Sequence, residues 1–230
     1  MKPKLTIILS SIIGLVALMI GTYYFMNSRS VQLFGNIINR VETDELVVAL
    51  TFDDGPTEKT EAILDILNRN EIKATFYLTG KEIEAHPDLA KKIIEAGHEV
   101  GNHTYSHAKN VFKSPSFIEN EILKTNELIR QMGYTGPMYF RSPYCKKLVI
   151  LPYYLNKYGL TNITFDIEPD TYVETAAEKV DYTISEVQPG SIILLHPMYN
   201  DSSLDAIQGI IVGLKEQGYE FLTVSELLNK

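Results

Sequence analysis

Short apolar runs alternate with helix-like stretches over most of this chain of 230 residues. Seven runs are rich in the β-branched and aromatic residues that strands favour, and they cover residues 46–52, 73–78, 98–101, 138–140, 161–165, 191–195 and 219–222. Strands that alternate with helices form βαβ units, and the strands of such units are parallel. The pattern therefore predicts an α/β fold of about seven parallel strands, arranged as a small irregular barrel or as an open doubly wound sheet.

Two helix starts can be read from the residues between these runs. Pro87 opens one stretch and Gly97 closes it, which are the usual positions of proline and glycine at the two ends of a helix. Ser116 and Glu119 have the spacing of a capping box, in which each side chain bonds the backbone N–H of the other. We therefore expect a second helix to begin at Ser116.

The N-terminal run is apolar enough to form a transmembrane helix. Residues 5–26 contain no charged side chain, and about 20 apolar residues in a helix span the hydrocarbon core of a bilayer. Lys2 and Lys4 precede the run while Arg29 and Arg40 follow it, a slight bias that orients the N-terminus to the cytoplasm. We expect an uncleaved, single-pass anchor in the cell membrane with the rest of the chain extracytoplasmic. The alternatives are a cleaved signal peptide and a buried helix of a soluble protein.

The anchor divides the chain into three parts. Residues 1–26 are the cytoplasmic tip and the transmembrane helix, residues 27–45 have the polarity of a linker, and residues 46–230 form one globular domain. A content of 45% hydrophobic and 22% charged residues is ordinary for a folded domain. The formal net charge of −8 argues against a nucleic-acid-binding surface. Cys145 is the only cysteine, so no disulfide can form within the chain.

Polar side chains follow five of the predicted strands, at the point where each strand ends. Along the chain they are Asp53 and Asp54, then Asn102 and His103, then Arg141, then Asp166 and Glu168, and finally His196. In barrels and doubly wound sheets, active sites assemble at the carboxyl ends of the parallel strands. The pattern therefore predicts an active site at this end of the fold.

Two histidines and two aspartates of this region have the chemistry of a metal site. His103 and His107 are four residues apart, so they would meet on one side of a helical turn and share a metal ion. Two imidazoles and one carboxylate leave a zinc-like ion an open position for water. Asp53 and Asp54 offer that carboxylate and a second one, which can take a proton from the water. An ordinary turn is the alternative reading of the Asp-Gly-Pro sequence that begins at Asp54.

These motifs, taken together, resemble those of a known family. The residues concerned are Thr51–Gly55, His103-x-x-x-His107, Arg141-Ser142-Pro143-Tyr144 and Leu194-Leu195-His196. In order and approximate spacing they are similar to the motifs of the NodB-type polysaccharide deacetylases, carbohydrate esterase family four. The resemblance covers residues 46–228, nearly all of the predicted globular domain. It implies an irregular (β/α) barrel of about seven parallel strands, the NodB-type form of the fold predicted above.

The resemblance also implies a role for each matched residue. Asp53 would be the general base, and Arg141 would keep it ionised and oriented. His196 would be the general acid that protonates the leaving amine. The backbone N–H of Tyr144 would help to bind the oxyanion, and Leu194 would line the pocket for the acetyl methyl. The metal ligands would be Asp54, His103 and His107.

The chain departs from the family pattern at the fourth motif, which usually carries an aspartate and tryptophans. No tryptophan is present in the chain. Glu168 is our choice for the catalytic carboxylate that pairs with His196, because its longer side chain has the reach to do so. Asp166 and Asp170 are the alternatives.

The function that the resemblance implies is the metal-dependent removal of N-acetyl groups from amino sugars. The substrate would be an N-acetylated polysaccharide of the cell envelope, such as peptidoglycan or a chitin-like polymer. Zn²⁺ suits one aspartate and two histidines, and Co²⁺ or Ni²⁺ could use the same ligands. The alternatives are an O-acetyl esterase and a carbohydrate-binding protein on an inactive scaffold. An inactive scaffold would have lost a ligand, the base or the acid, whereas all of these residues are present.

Overall fold

Helices and parallel strands alternate along the chain after one long N-terminal helix. The computed structural model describes residues 3–230. The helices are α1 (Pro3–Met26), α2 (Thr60–Arg69), α3 (Gly80–Ala85), α4 (Pro87–Glu95), α5 (Pro115–Gln131), α6 (Ile150–Lys157), α7 (Ala176–Glu186), α8 (Asp201–Glu216) and α9 (Val224–Leu227). The strands are β1 (Ile37–Ile38), β2 (Val47–Gly55), β3 (Thr75–Leu78), β4 (Glu99–Asn102), β5 (Asn162–Ile163), β6 (Ile192–Leu195) and β7 (Glu220–Leu222).

Strand β2 lies at the centre of the main sheet. The strand order is β4-β3-β2-β6, and β7 also pairs with β2. All of these pairings are parallel, which confirms the prediction of a parallel α/β fold. A second parallel pair, β1 with β5, lies apart from this path, and single bridges join Asn102 to Phe140, Phe140 to Asn162 and Ile167 to Ile193. Because the strands are parallel, their carboxyl ends lie at one edge of the fold.

Six of the seven predicted strands are present, with ends that differ by a few residues. The exception is the run at 138–140, which forms no strand and contributes only the bridges of Phe140. Conversely, β1 lies in the segment predicted to be a linker. Strand β1 has only two residues and forms because it meets β5, so its own residues carry no pattern that predicts it.

The two predicted helix starts have different outcomes. Helix α4 begins at Pro87, and Gly97 follows it with φ of +77°, so the first prediction is confirmed. Helix α5 begins two residues earlier than the first helical residue implied by a cap at Ser116, so the second prediction is wrong. Its cap is Ser114, whose hydroxyl accepts a hydrogen bond from the Phe117 N–H at 3.2 Å. Pro115, at the first helical position, is compatible with this start because its missing N–H needs no partner there.

The two faces of β2 pack against different apolar clusters. Val48, Leu50 and Phe52 are fully buried in the larger cluster, which includes residues of α2, α4 and α8. Val47 and Ala49 belong to a smaller cluster with residues of β5 and β6. Successive side chains of a strand point to opposite faces. The odd-numbered positions of β2 therefore face away from the helices that cover the larger cluster.

The segment 27–45 packs on the domain and does not form a free linker. Ile37 and Ile38 form β1 and pair with β5. Arg40 forms an antiparallel bridge with Ser191, next to β6. The Val41 N–H donates a hydrogen bond of 2.9 Å to the Gly190 carbonyl. These contacts make the segment part of the fold that surrounds the site.

Helix α1 has the length and composition of a membrane span. Residues Ile7–Met26 have a mean hydropathy of 2.0, and none of this stretch is buried against the rest of the protein. Its aliphatic side chains are exposed, as are Tyr23 and Tyr24 near its C-terminal end. A signal sequence and a signal anchor share these properties.

Candidate active site

The local geometry of β2 brings two consecutive carboxylates to one site. Thr51 and Asp53 follow Val47 and Ala49 on the same face of the strand, because side chains alternate. Asp54 would point to the opposite face in a regular strand. The register with β3 shifts between Asp53 and Gly55, however, and Asp54 has φ of +73°. Such a bulge adds a residue and redirects its side chain, so both carboxylates reach the same pocket.

His103 and His107 come together through a loop rather than a helical turn. Residues 103–107 are not helical, and the prediction of a helical turn is wrong. Thr104 and His107 both have left-handed backbone conformations, with φ of +69° and +54°. The loop nevertheless brings the two imidazole ring centres to 4.9 Å from each other.

Asp54, His103 and His107 have the arrangement of a metal-binding group. One potential ligand atom of each residue lies within 4.8 Å of those of the other two. The Oδ1 atom of Asp54 is 3.5 Å from His103 Nε2 and 3.2 Å from His107 Nε2. This oxygen is buried and has no hydrogen-bond partner among the described residues, which is unfavourable unless a cation satisfies it. The donor set therefore fits a divalent metal ion.

The hydrogen bond of His103 and the lowered pKa of His107 both suit metal binding. His103 Nδ1 lies 2.9 Å from the Arg141 carbonyl oxygen, to which it donates a hydrogen bond when it carries the proton. That tautomer leaves Nε2 free as a ligand atom. Burial and the neighbouring His103 lower the pKa of His107. A neutral imidazole is the form that coordinates a metal.

Arg141 holds Asp53 in its ionised form. The Nη1 atom of Arg141 donates hydrogen bonds of 2.8 Å to Asp53 Oδ1 and to Thr51 Oγ1, and both ionic side chains are almost fully buried. The guanidinium also donates to the carbonyl oxygens of Ile163 and Thr164. Burial alone would raise the pKa of Asp53, but Arg141 and the nearby histidines outweigh it, and the pKa is lowered. Asp53 is therefore a carboxylate that stays charged in a buried position.

Asp170, and not Glu168, is the partner of His196. Asp170 Oδ2 accepts a hydrogen bond from the His196 backbone N–H at 2.8 Å and lies 3.1 Å from His196 Nδ1. Its other oxygen, Oδ1, bonds Lys179 Nζ at 2.7 Å and Ser203 Oγ at 2.6 Å. The choice of Glu168 was wrong, and one of the two alternatives is correct. The reason is that the turn at Pro169–Thr171 directs Asp170 towards the end of β6.

The remaining carboxylates of this motif have other partners. Glu168 Oε2 pairs with Arg29 Nη2 at 2.7 Å. Asp166 accepts hydrogen bonds from the Ser191 hydroxyl at 2.7 Å and from the Ile192 N–H at 2.8 Å. Asp166 therefore holds its loop against the start of β6. Glu168 instead contacts Arg29, which belongs to the segment that follows α1.

The environment of His196 favours its protonated form. Burial alone would lower the pKa of His196. The hydrogen bond to Asp170 and the charges of Asp53 and Asp54 outweigh burial and raise the pKa to about 9. At neutral pH this imidazole can therefore donate a proton.

One cavity of about 930 Å³ joins these groups. Tyr144, whose ring centre is 4.8 Å from that of His107, is half-exposed at its edge. Leu194 is 2% exposed and comes from β6, two residues before His196. The buried Cys145 also lines the cavity, and burial raises the pKa of its thiol. The predicted site residues that line the cavity are Asp53, Asp54, His103, His107, Tyr144, Glu168, Leu194 and His196.

The backbone is strained around this cavity. Seven residues other than glycine have positive φ in the part of the chain that the structure describes. Five of them belong to the motif loops: Asp54, Thr104, His107, Tyr144 and Cys145. Unfavourable backbone conformations cluster at functional sites, where they set the direction of particular side chains.

Comparison with known proteins identifies the family. A family model described as polysaccharide deacetylase matches residues 40–163. The chain belongs to the polysaccharide deacetylases. This result confirms the resemblance drawn from the motifs, and it makes the protein an enzyme of this class, a hydrolase.

Relatives of known function and structure extend over most of the chain. A peptidoglycan-N-acetylglucosamine deacetylase of Bacillus cereus is 33% identical over 200 residues, which are 84% of this chain and 93% of the relative. The crystal structure of the Bc1960 peptidoglycan N-acetylglucosamine deacetylase superimposes with a TM-score of 0.79 at 31% identity, covering 84% of this chain and 92% of that one. The α/β architecture of this polysaccharide deacetylase is therefore that of its family.

One structural relative shows that the fold alone does not ensure activity. BA3943 of Bacillus anthracis is described as a pseudoenzyme of carbohydrate esterase family four. It matches this polysaccharide deacetylase with a TM-score of 0.78 at 28% identity, over 86% of this chain and 70% of its own. Activity in this fold therefore depends on the side chains in the cavity.

Sequence reasoning missed three residues that contact the predicted site groups. Lys179 is fully buried on α7 and pairs with Asp170. Ser203, on α8, donates to the same carboxylate. Arg29 pairs with Glu168. None of them belongs to a motif, and a single charged or hydroxyl residue gives no signal of burial in the sequence.

Proposed function

We propose that this polysaccharide deacetylase hydrolyses the N-acetyl groups of amino sugars in a cell-envelope polysaccharide. The observation that supports this function is the convergence, in one cavity, of a charged buried carboxylate, a three-residue metal-binding group and a protonated histidine. Hydrolysis of an amide needs an activated water, stabilisation of the oxyanion and a proton for the leaving amine. The residues of the cavity can supply each of these.

Asp54, His103 and His107 are the residues that would hold the metal. A divalent ion bound there would polarise the amide carbonyl and make a water molecule more acidic. Zn²⁺ suits one carboxylate and two imidazoles, while Co²⁺ or Ni²⁺ could use the same three ligands.

Asp53 acts as the general base in this proposal. It takes the proton of the attacking water, and Arg141 keeps it ionised and oriented through a hydrogen bond of 2.8 Å. His196 acts as the general acid and donates a proton to the departing nitrogen. Asp170 orients the His196 ring by accepting from Nδ1, so that Nε2 carries the proton to be transferred.

Two further groups would bind the acetyl group. The Tyr144 backbone N–H helps to stabilise the oxyanion, and the left-handed conformation of Tyr144, with φ of +56°, determines the direction of that N–H. Leu194 lines the space for the acetyl methyl, next to the general acid on β6.

The substrate and the cellular location belong to the same proposal. Relatives of the chain are named as deacetylases of peptidoglycan N-acetylglucosamine and, in Bacillus subtilis, of peptidoglycan N-acetylmuramic acid. An enzyme held by α1 as a single-pass anchor, with its domain extracytoplasmic, would work on a polymer that lies next to the membrane. We also infer that the strands close into an irregular (β/α) barrel, which the single bridges at Phe140 and Ile167 support.

Acetate release by the full-length protein tests this function. The detergent-solubilised, metal-loaded chain is assayed with N-acetylglucosamine oligomers and with purified peptidoglycan, with and without a chelator. Asp53→Asn should lower kcat by about 10²–10⁴-fold, because it removes the base but preserves the shape of the side chain.

Asp65→Asn is the matched control, because Asp65 is an exposed residue of α2 whose ion-pair partner among residues 3–230 is Arg69. It should leave kcat unchanged. If the metal-loaded protein releases no acetate from either substrate, the proposed reaction is refuted. Release from O-acetylated sugars alone would identify an esterase instead.

A further inference from the structure

The segment that follows α1 is held against the rim of the catalytic cavity. The Lys147 N–H donates to the Met26 carbonyl at 3.0 Å, and Lys147 Nζ donates to the Ser28 carbonyl. Lys146 Nζ donates to Asn27 Oδ1 at 2.9 Å. Both lysines directly follow the motif loop that contains Tyr144 and Cys145. The path of the segment is therefore set by the catalytic domain itself.

Arg29, like Asn27 of the same segment, lines the cavity. Its guanidinium carbon lies 4.2 Å from the ring centre of Phe165, and its carbonyl accepts a hydrogen bond of 2.5 Å from the Thr164 hydroxyl. Its Nη2 atom bonds Glu168 Oε2 at 2.7 Å. Arg29, Phe165 and Glu168 all line the cavity that contains Asp53 and the metal-binding group.

The Arg29–Glu168 pair retains unused hydrogen-bonding capacity. In the part of the chain that the structure describes, Glu168 is the only hydrogen-bond partner of the Arg29 guanidinium, which has five N–H donors. Glu168 uses Oε2 for this contact, and its Oε1 has no hydrogen-bond donor among residues 3–230. The side chains are 30% and 14% exposed, so water or a ligand can reach them. The donors that the protein leaves unused on this partly exposed side chain are available to a ligand.

We propose that Arg29 and Glu168 form a subsite that binds the hydroxyl groups of an uncharged sugar unit of the substrate. This proposal rests on the proposed function, and it adds to the pocket a residue from the segment next to the anchor. A sugar hydroxyl both donates and accepts hydrogen bonds, so a guanidinium beside a carboxylate matches two neighbouring hydroxyls. The charges of Arg29 and Glu168 offset each other, so the pair offers no net attraction to a charged group and suits a neutral sugar.

The subsite connects substrate binding to the membrane. Arg29 is three residues beyond the end of α1 at Met26, and Tyr23 of α1 itself lines the same cavity. If α1 spans the bilayer, the cavity lies at the membrane surface, and the sugar chain enters along that surface.

Binding of an N-acetylglucosamine tetramer to the full-length protein tests the subsite. The detergent-solubilised chain is treated with a chelator to prevent turnover, and the dissociation constant is measured by calorimetry. Arg29→Gln and Glu168→Gln should each raise Kd about tenfold, which corresponds to about 1.4 kcal/mol. In the metal-loaded protein, each should raise KM with little change in kcat, because neither residue contacts the base or the acid.

Arg40→Gln is the matched control, since it makes the same change in the same segment. Arg40 bonds Gln188, the Pro189 carbonyl and Glu42, away from the cavity, and its replacement should leave Kd unchanged. An unchanged Kd in Arg29→Gln, with or without a lower unfolding temperature, would make the pair a structural contact and overturn the subsite. So would failure of the parent chain to bind the tetramer.

The binding measurement separates this proposal from the proposed reaction. Binding that depends on Arg29 without any acetate release would support the subsite and refute the reaction. Acetate release together with binding that does not depend on Arg29 would refute the subsite alone.

Discussion

Replacing Asp170 by asparagine should change the pH dependence of the enzyme through His196. Burial alone would raise the pKa of Asp170, but hydrogen bonds from His196, Lys179 and Ser203 outweigh it and hold the pKa well below its usual range. The carboxylate is therefore charged at every pH at which the enzyme would be assayed. Asp170→Asn removes this charge and keeps the size of the side chain.

The magnitude follows from the hydrogen bond that is lost. A hydrogen bond to a charged group contributes about 1.5–3 kcal/mol, and 1.36 kcal/mol corresponds to one pH unit. The pKa of His196 should therefore fall from about 9 by about one to two pH units. Asp53 is not changed by this substitution and continues to favour the protonated imidazole, which limits the fall. At pH 8 the protonated fraction would drop from roughly nine-tenths to between a half and a tenth.

The assay is the pH profile of kcat for acetate release between pH 5 and 10. A general acid must be protonated, so activity is lost as the pH rises through the pKa of His196. The basic limb of the profile should therefore move to lower pH in Asp170→Asn. Thermal unfolding must show that the variant is folded at the assay temperature, because Lys179 loses its buried partner.

Lys179→Met provides a control of opposite sign. It removes a cation that is 2.7 Å from Asp170 Oδ1 and leaves the contact between Asp170 and His196 intact. Without that cation the carboxylate attracts the imidazolium more strongly, so the basic limb should move to higher pH. A basic limb that stays in place in Asp170→Asn, or that moves in the same direction in both variants, would refute the assignment of His196 as the general acid.

Three further predictions concern the metal, the buried ion pair and the segment after α1. In the parent protein, Zn²⁺ at 100 times its Kd should raise the free energy of unfolding by about 2.7 kcal/mol. In His107→Ala, the same zinc concentration should give much less stabilisation in a thermal titration. Stabilisation equal to that of the parent protein would exclude His107 as a ligand. Arg141→Met leaves Asp53 buried without its partner and should lower the free energy of unfolding in urea by about 3–5 kcal/mol. A decrease near zero would contradict the pairing. Gly190→Ala puts a Cβ atom 1.9 Å from the Val41 carbonyl oxygen at φ of +79°. It should lower the free energy of unfolding by more than the roughly 1–2 kcal/mol that the left-handed backbone costs by itself, whereas a free linker at Val41 would move aside and leave only that backbone cost.

Much of the site could be predicted from the sequence because the position of each residue relative to its own strand is a local property of the chain. The alternation of strands and helices requires parallel strands, and the ends of parallel strands meet at one edge. Asp53 lies near the carboxyl end of β2, and His103, Arg141 and His196 each follow a strand or a bridged segment. Their convergence could therefore be predicted from their positions alone. The motif spacing then identified the family.

The contacts within the site depend on the tertiary structure, because they are decided by backbone paths that have no periodic pattern. Asp54 reaches the pocket because of a bulge in β2, and His107 because its own backbone is left-handed. The choice between Glu168 and Asp170 depended on a single turn, since the two residues are only two positions apart.

The sequence by itself determined the fold class, the family and the set of groups that carry the chemistry. The tertiary structure alone decided which group pairs with which, and that residues 27–45 pack on the domain. Lys179 and Arg29 illustrate the physical reason. Each belongs to a segment with an unremarkable local pattern. Lys179 meets Asp170 because α7 packs beside the turn that carries Asp170, and Arg29 meets Glu168 although the two are 139 residues apart in the sequence.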